Sequence, residues 1–304
     1  MKLIHKGSTK DVYQAGEHYL FHFSNRYSVF DWGEMPDELN DKGLSLARFT
    51  KYLYGYLATK DIPTHLLNLP TQGHEMAIKP FKVLRDSKVL PREENLFIPL
   101  EVIFRLGVAS GSSLLKRGSH FKEGERFAGP MIEFTTKLER FDRPLTHEEA
   151  RALTGMNDTE WSELIRMTTL ISRELEALFK VHNVILWDGK VEFALGEFIG
   201  ENRQIVLVDS IGPDELRLTK NNIQLSKEIL RQFYRRSSWY EKLDQAKAEH
   251  GENFKKHLPS PDPLPAKLKQ DVEEMYRLLP DLIENLPGSE AKLEQIMIEL
   301  KGSL

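Results

Sequence analysis

The chain has 304 residues, 40% of them apolar and 29% charged, with a formal net charge of -4. That length supports one large domain or two lobes around a substantial core, and the composition excludes a disordered or fibrous protein. The mildly acidic balance argues against general nucleic-acid binding, and the absence of cysteine excludes disulfides and thiolate metal sites.

In chain order, Met1 to Lys10 is polar and lacks the apolar core of a signal peptide. No apolar run approaches the roughly 18 residues of a membrane span, so a cytoplasmic protein without a membrane partner is expected. Leu3-Ile4-His5, Val12-Tyr13 and Tyr19 to Phe23 are β-prone runs separated by Gly7-Ser8-Thr9 and Ala15-Gly16-Glu17, which predicts an antiparallel meander. Leu46, Phe49, Leu53 and Tyr56 recur at helical spacing within 45–57. A strand is expected over 96–104, before Gly111-Ser112-Ser113. Thr146-His147-Glu148-Glu149 fits a capping box ahead of a short helix. Asn157 or Asp158 is the candidate cap of the next helix, whose inward face holds Trp161, Leu164, Ile165, Ile171, Leu175 and Leu178.

Residues 190–199 and 204–209 read as a hairpin turning at Gly200-Glu201-Asn202, and 226–234 as a helix. Prolines at 259, 261, 263 and 265 make 257–265 an extended strap, with helices expected over 266–278 and 289–300. The boundaries implied are an N-terminal β lobe over 1–80, an α+β lobe over 81–255, and the strap with its C-terminal helices over 256–304.

Three constellations carry chemistry. Gly7-Ser8-Thr9-Lys10 joins a glycine-bearing turn, where backbone amides can approach a phosphate, to a lysine; it is shorter than a P-loop, and such a segment is usually an ordinary turn. Asp188, Lys190 and Glu192 alternate on one strand and so share a face, and the partner strand ends at Asp209. Carboxylates gathered there suit magnesium, a hard cation that takes oxygen ligands; the alternative is a solvated strand face. Arg105 leaves an apolar strand ahead of Ser112, Ser113 and Lys116-Arg117, a set that suits a phosphate or a surface loop.

Taken in order, these segments resemble the SAICAR synthetase family. Gly7 to Tyr13, Arg26-Tyr27-Ser28-Val29-Phe30-Asp31, Asp41-Lys42-Gly43, Pro99 to Arg117, Trp187 to Phe193 and Val208 to Arg217 each match a family segment. The resemblance implies an α+β fold: a small antiparallel β lobe, a larger α+β lobe, and ATP in the cleft between them. It implies that the carboxylate of carboxyaminoimidazole ribonucleotide attacks ATP to give an acyl phosphate, which the amine of aspartate then opens, in de novo purine biosynthesis. By position, it assigns Gly7, Lys10, Glu192 and Asp209 to ATP, with Glu192 and Asp209 holding Mg2+. Lys190 and Asp188 would be catalytic. Arg105, Ser112 or Ser113, and Arg217 would bind the ribonucleotide phosphate, and Lys137 and Asp214 the amino acid. The chain departs from the family pattern at Ser8, Asn25, Leu106, Ser210 and Leu216. A related amide ligase with another acid or amine, or a noncatalytic nucleotide-binding relative, is the alternative, and a homo-oligomer is left open.

Overall fold

The computed structural model describes residues 1–85, 89–118, 120–139 and 142–303, with the backbone alone at 252. It divides into two compact units: Met1–Phe49, Pro70–Ala77 and Lys220–Leu304 form one, Thr50–Leu69 and Ile78–Thr219 the other. The class is mixed α+β, as the sequence implies.

In the first unit, β1 (Lys2–Lys6), β2 (Lys10–Ala15) and β3 (His18–Phe23) form the expected meander, and β4 (Glu75–Ile78) adds to β3 to complete a four-stranded sheet. Helix α1 (Lys42–Ala58) begins in this unit. Its start lies so close to β3 that a Cβ on Gly43 would stand 2.3 Å from the Phe23 carbonyl oxygen, so only glycine fits. The departure at Asn25 is accommodated here. Its side-chain oxygen accepts the Gly43 N–H at 3.1 Å.

The second unit is built on a sheet ordered β11-β9-β6-β7-β8, with β5 and β10 also paired to β9. Its strands are β5 (Leu96–Phe97), β6 (Leu100–Gly107), β7 (Arg126–Thr136), β8 (Pro144–Leu145), β9 (Ile185–Ile199), β10 (Asn202–Val208) and β11 (Leu216–Lys220). The single strand expected over 96–104 is two strands. Pro99 has no N–H to give a ladder, and the chain breaks there into β5 and β6. Strand β7 has no counterpart among the expected elements, and Gly129-Pro130 lies inside it. The register jumps from Arg105↔Met131 to Gly107↔Arg126, so Phe127 to Pro130 bulge out of a continuing strand.

Helix α2 (His147–Thr154) carries the expected capping box, and α3 (Asp158–Val181) is capped by Asn157 in a second one with Glu160. Its buried stripe is Leu164, Met167, Ile171, Leu175 and Phe179; the expected Leu178, Trp161 and Ile165 are only half-buried. Back in the first unit come β12 (Ile223–Gln224), α4 (Glu228–Arg235), α5 (Ser238–His250), the extended 259–265 strap, α6 (Ala266–Ile283) and α7 (Ser289–Ser303). The departures Leu106 and Leu216 are 3% exposed core residues, and Leu216 packs over Gly189, where a Cβ would meet its Cδ2 at 2.6 Å. Both are absorbed as apolar packing in the core.

Candidate active site

The register of the second unit gathers the charged residues. Arg105 on β6 lies opposite Asp188 on β9, which lies opposite Arg217 on β11. Glu192 on β9 lies opposite Val208 on β10, one residue before Asp209. Asp188, Lys190 and Glu192 therefore share one face, as their alternation requires. That face is not a solvated one: Glu192 is 3% and Asp188 8% exposed.

Lys137, just past β7, and Lys190 share the carboxylate of Glu101. Lys137 Nζ stands 3.0 Å and Lys190 Nζ 2.5 Å from Glu101 Oε1, and Lys137 also reaches Glu192 Oε1 at 2.7 Å. Burial would raise Glu101, but Lys190 and Lys137 outweigh it and hold the carboxyl below its usual range. Glu192 goes the other way: burial first, then the charge of Asp209, lift it above the carboxylate range against the pull of Lys137 and Lys190. Burial and Lys137 work to lower Lys190, yet Glu192 and Glu101 raise it overall. Lys137 is raised too, since Glu192, Asp209 and Glu101 overcome its burial. The cluster thus holds two fixed ammonium groups beside a pair of carboxylates that repel one another.

Asp209 is held in an uncommon shape. Its φ is +68°, a left-handed conformation that aspartate tolerates better than most side chains but that still carries strain. The Tyr54 hydroxyl donates to the carbonyls of Val208 and Asp209 at 2.9 and 3.0 Å, and His65 Nε2 lies 3.0 Å from the Asp209 carbonyl. A carbonyl only accepts, so His65 carries its proton on Nε2. Tyr54 is fully buried, and burial followed by Asp209, Glu192 and Glu215 keeps its hydroxyl protonated as a donor.

A second cluster adjoins along β9. Asp188 Oδ2 lies 3.5 Å from Arg105 Nη1 and 3.6 Å from Arg217 Nη1. Arg105 also donates to Glu133 and, at 3.2 Å, to Ser113 Oγ, and Arg117 pairs with Glu133 as well. Burial would raise Glu133, but Arg105 and Arg117 outweigh it and lower its carboxyl. The two serines have different roles. Ser112 is buried, and its hydroxyl accepts the Leu114 N–H to cap a short turn, whereas Ser113 faces Arg105. Two guanidiniums and a hydroxyl around displaceable carboxylates suit a phosphate.

The other expected residues lie elsewhere. Asp214 is half-buried in the 212–215 turn leading to β11. Gly7 and Lys10 belong to the first unit. Gly7 N–H donates to the Lys10 carbonyl at 3.0 Å, and Lys10 Nζ sits 4.9 Å from the Phe21 ring centroid. Four participants are not evident from sequence: Glu101, Glu133, Tyr54 and His65. For Glu101 a signal exists, because it stands four residues before Arg105 and so faces the same way on a strand. The other three depend on long-range register.

A protein-family model described as SAICAR synthetase matches residues 3–246. A putative phosphoribosylaminoimidazole-succinocarboxamide synthase of Archaeoglobus fulgidus is 33% identical over 319 aligned residues, covering 93% of each chain. The phosphoribosylaminoimidazole-succinocarboxamide synthase of Thermoplasma acidophilum is 33% identical, covering 92% of this chain and 97% of its own. Among solved structures, the synthase of Ehrlichia chaffeensis aligns with a TM-score of 0.69 at 21% identity, over 94% of this chain and all of the other. A SAICAR synthetase in complex with ADP aligns with a TM-score of 0.63 at 23% identity, over 82% of this chain and 97% of its own. At these identities the solved structures speak for the fold, and the sequence matches speak for descent. The matched stretch contains both charged clusters, and the chain belongs to the SAICAR synthetase family.

Proposed function

We propose that the two clusters of the second unit carry the reaction for which the relatives are named: the carboxylate of carboxyaminoimidazole ribonucleotide is joined to the amine of aspartate at the expense of ATP. The chain is an ATP-dependent carbon–nitrogen ligase of purine biosynthesis. The observation that carries the residue assignment is the burial of Glu192 beside Asp209, with Lys137 and Lys190 fixed around them.

A carboxylate is a poor acyl donor because oxide is a poor leaving group. Its oxygen attacks the γ-phosphorus of ATP, ADP departs, and the resulting acyl phosphate has phosphate as its leaving group. The aspartate amine then attacks the acyl carbon and phosphate leaves. The protein's part is to position the reactants and neutralise charge. In this reading Lys190 faces the transferring phosphoryl group and Lys137 the aspartate carboxylate, with Asp214 near the amino acid. Arg105, Ser113 and Arg217 grip the ribonucleotide phosphate, which displaces Glu133, while Asp188 keeps the two guanidiniums aligned. Ser112 supports that loop rather than touching the ligand. Gly7 and Lys10 receive the ATP phosphates, on the strength of the family resemblance.

Glu192 and Asp209 fit Mg2+. They offer hard oxygen donors, and the mutual repulsion that raises Glu192 is relieved by a cation. When bound, the ion would neutralise the ATP phosphates and polarise the γ-phosphorus. We assign the reaction to the cytoplasm, the compartment that supplies ATP.

The test is phosphate release by the purified protein given ATP, magnesium, the ribonucleotide and single amino acids in turn. Release that requires both the ribonucleotide and aspartate, with the succinyl amide as product, is the expected result. Release with a different acid or amine would replace the reading with a neighbouring ligase. ADP formed with the ribonucleotide but no amine, and without release of phosphate, would make the chain a phosphotransferase.

A further inference from the structure

The first unit contains a cluster that the ligase reaction does not use. His22 lies on β3, and His74 and Glu75 lie where the chain enters β4. Phe23 N–H donates to the His74 carbonyl at 2.9 Å, so the backbones that carry the two imidazoles are joined directly. The rings meet edge to face with centroids 4.3 Å apart. His22 Nδ1 is 3.7 Å from Glu75 Oε1, and one donor atom from each of the three residues lies within 4.8 Å of the others.

We propose that His22, His74 and Glu75 bind one Zn2+ ion on the four-stranded sheet. Two imidazole nitrogens and one carboxylate oxygen form a borderline donor set that favours zinc, cobalt or nickel over magnesium or calcium. Zinc holds such donors at about 2.0–2.2 Å, which places neighbouring tetrahedral donors about 3.3–3.6 Å apart. The His22–Glu75 pair already stands close to that separation. The Glu75 carboxylate is held from behind. Its Oε2 accepts the Gln72 N–H at 3.2 Å, which leaves Oε1 turned toward His22, and the Thr71 hydroxyl donates to the Glu75 carbonyl at 3.0 Å. A partner on the second carboxylate oxygen is the usual support of a metal-ligating carboxylate. His22 and His74 are half-buried, so the ion keeps a path to solvent and water as its fourth ligand. The ion would pin the edge strand β4 to β3 across the long excursion of chain between them.

The experiment uses the full chain, stripped with a chelator and held at pH 7.5 in millimolar magnesium, so that the acidic pair of the ligase site is occupied. Titration with Co2+ should give a tetrahedral visible band that saturates at one equivalent and is displaced by Zn2+. Zn2+ should also raise the thermal midpoint. His74→Ala and His22→Ala should each abolish the band and weaken zinc binding by at least about 100-fold, while ligase turnover in magnesium stays within about twofold. Glu75→Gln should weaken zinc binding by about 10–100-fold. The proposal falls if the wild-type chain shows no saturable band, or if the band survives in both histidine variants. Should one histidine variant fail to fold, as judged by lost turnover, the other and Glu75→Gln decide between the outcomes.

Discussion

Glu160 and Glu192 are both buried glutamates of the second unit with cations in reach, yet their surroundings drive them in opposite directions. Glu160 faces Arg203, whose side chain is fully buried beside it. Arg203 donates to it from N, Nε and Nη2 at 2.8, 3.0 and 2.9 Å, and spends its remaining donors on the carbonyls of Pro91, Glu93 and Gly155. Burial alone would raise Glu160, but Arg203 and the backbone N–H groups outweigh it and hold the carboxyl at about 2. Glu192 has a second carboxylate, Asp209, in its neighbourhood, and its cations are shared with Glu101. It is raised, not lowered. A buried charge whose hydrogen bonds are complete acts as a joint of the structure. A buried charge left in competition is set up to take something more, here a cation and the phosphates it accompanies.

That contrast can be broken from either side. Arg203→Met should cost about 3–5 kcal/mol in urea denaturation, because it leaves the buried Glu160 with only the half-exposed Arg92 as a cation partner. Turnover per folded molecule should be unchanged; a matching loss of turnover would place Arg203 in the site. Lys190→Met should do the reverse, cutting turnover about 100- to 1000-fold as one stabilising donor is lost, while Lys137 still neutralises Glu101 and limits the stability change. If the two variants lose stability equally, the distinction between joint and site disappears. Arg105→Lys should raise the KM for the ribonucleotide about tenfold or more and leave that for ATP nearly unmoved, since lysine cannot reproduce a planar fork of donors. A rise confined to ATP would mean that the two pockets are exchanged.

Acid titration sharpens the comparison further. Glu160 is lowered from 4.5 to about 2 on folding, so its stabilisation is complete above pH 4.5 and is lost as pH falls toward 2. Glu192 is raised, so its ionised form opposes folding, and its contribution worsens as pH rises from 4.5 through its folded value. Glu160→Gln should flatten the acid slope of stability, Glu192→Gln should tilt it the opposite way, and magnesium should shrink only the second effect. Parallel changes in the two variants would sink the idea. The smallest effect is expected from Tyr54→Phe, about 1 kcal/mol for its lost hydrogen bonds, with a few-fold higher magnesium requirement as Asp209 relaxes. An unchanged requirement would mean that Asp209 keeps its shape without the hydroxyl.

Much of this is legible in the amino-acid order alone. The meander, the Thr146 capping box, the Asn157 cap, the hairpin over 190–209 and the proline strap follow from local rules, because turn residues, caps and periodicity act over a few positions. Alternation puts Asp188, Lys190 and Glu192 on one face, where the structure has them. What escapes are features decided at a distance. Gly129-Pro130 lies in a bulge of β7, because β6 continues past it. Helix α5 shows little apolar stripe, with only Trp239, Leu243 and Ala246 buried. Tyr54 and His65 reach Asp209 across more than a hundred residues of chain, and nothing near them in sequence announces it. The Gly-Ser-Ser ambiguity is a local one that only side-chain direction separates, with Ser112 turned to its own backbone and Ser113 to Arg105.

The first unit is assembled from three separated stretches, and this has a bearing on how the protein is made. Arg48 donates to Asp281 and Glu284 at 2.6 Å each, Asn40 N–H donates to Glu273 at 2.8 Å, and the hydroxyls of Tyr27 and Tyr234 lie 3.0 Å apart. Each of these links joins residues more than 200 positions apart in the chain. During synthesis the second unit can close on itself once residue 219 is free, while Asn40 and the start of α1 must wait for α6. A transcript or ribosome halted before residue 266 would therefore release a chain that contains both charged clusters and yet leaves Asn40 and Arg48 without their partners in α6, an early signal for degradation of the truncated product.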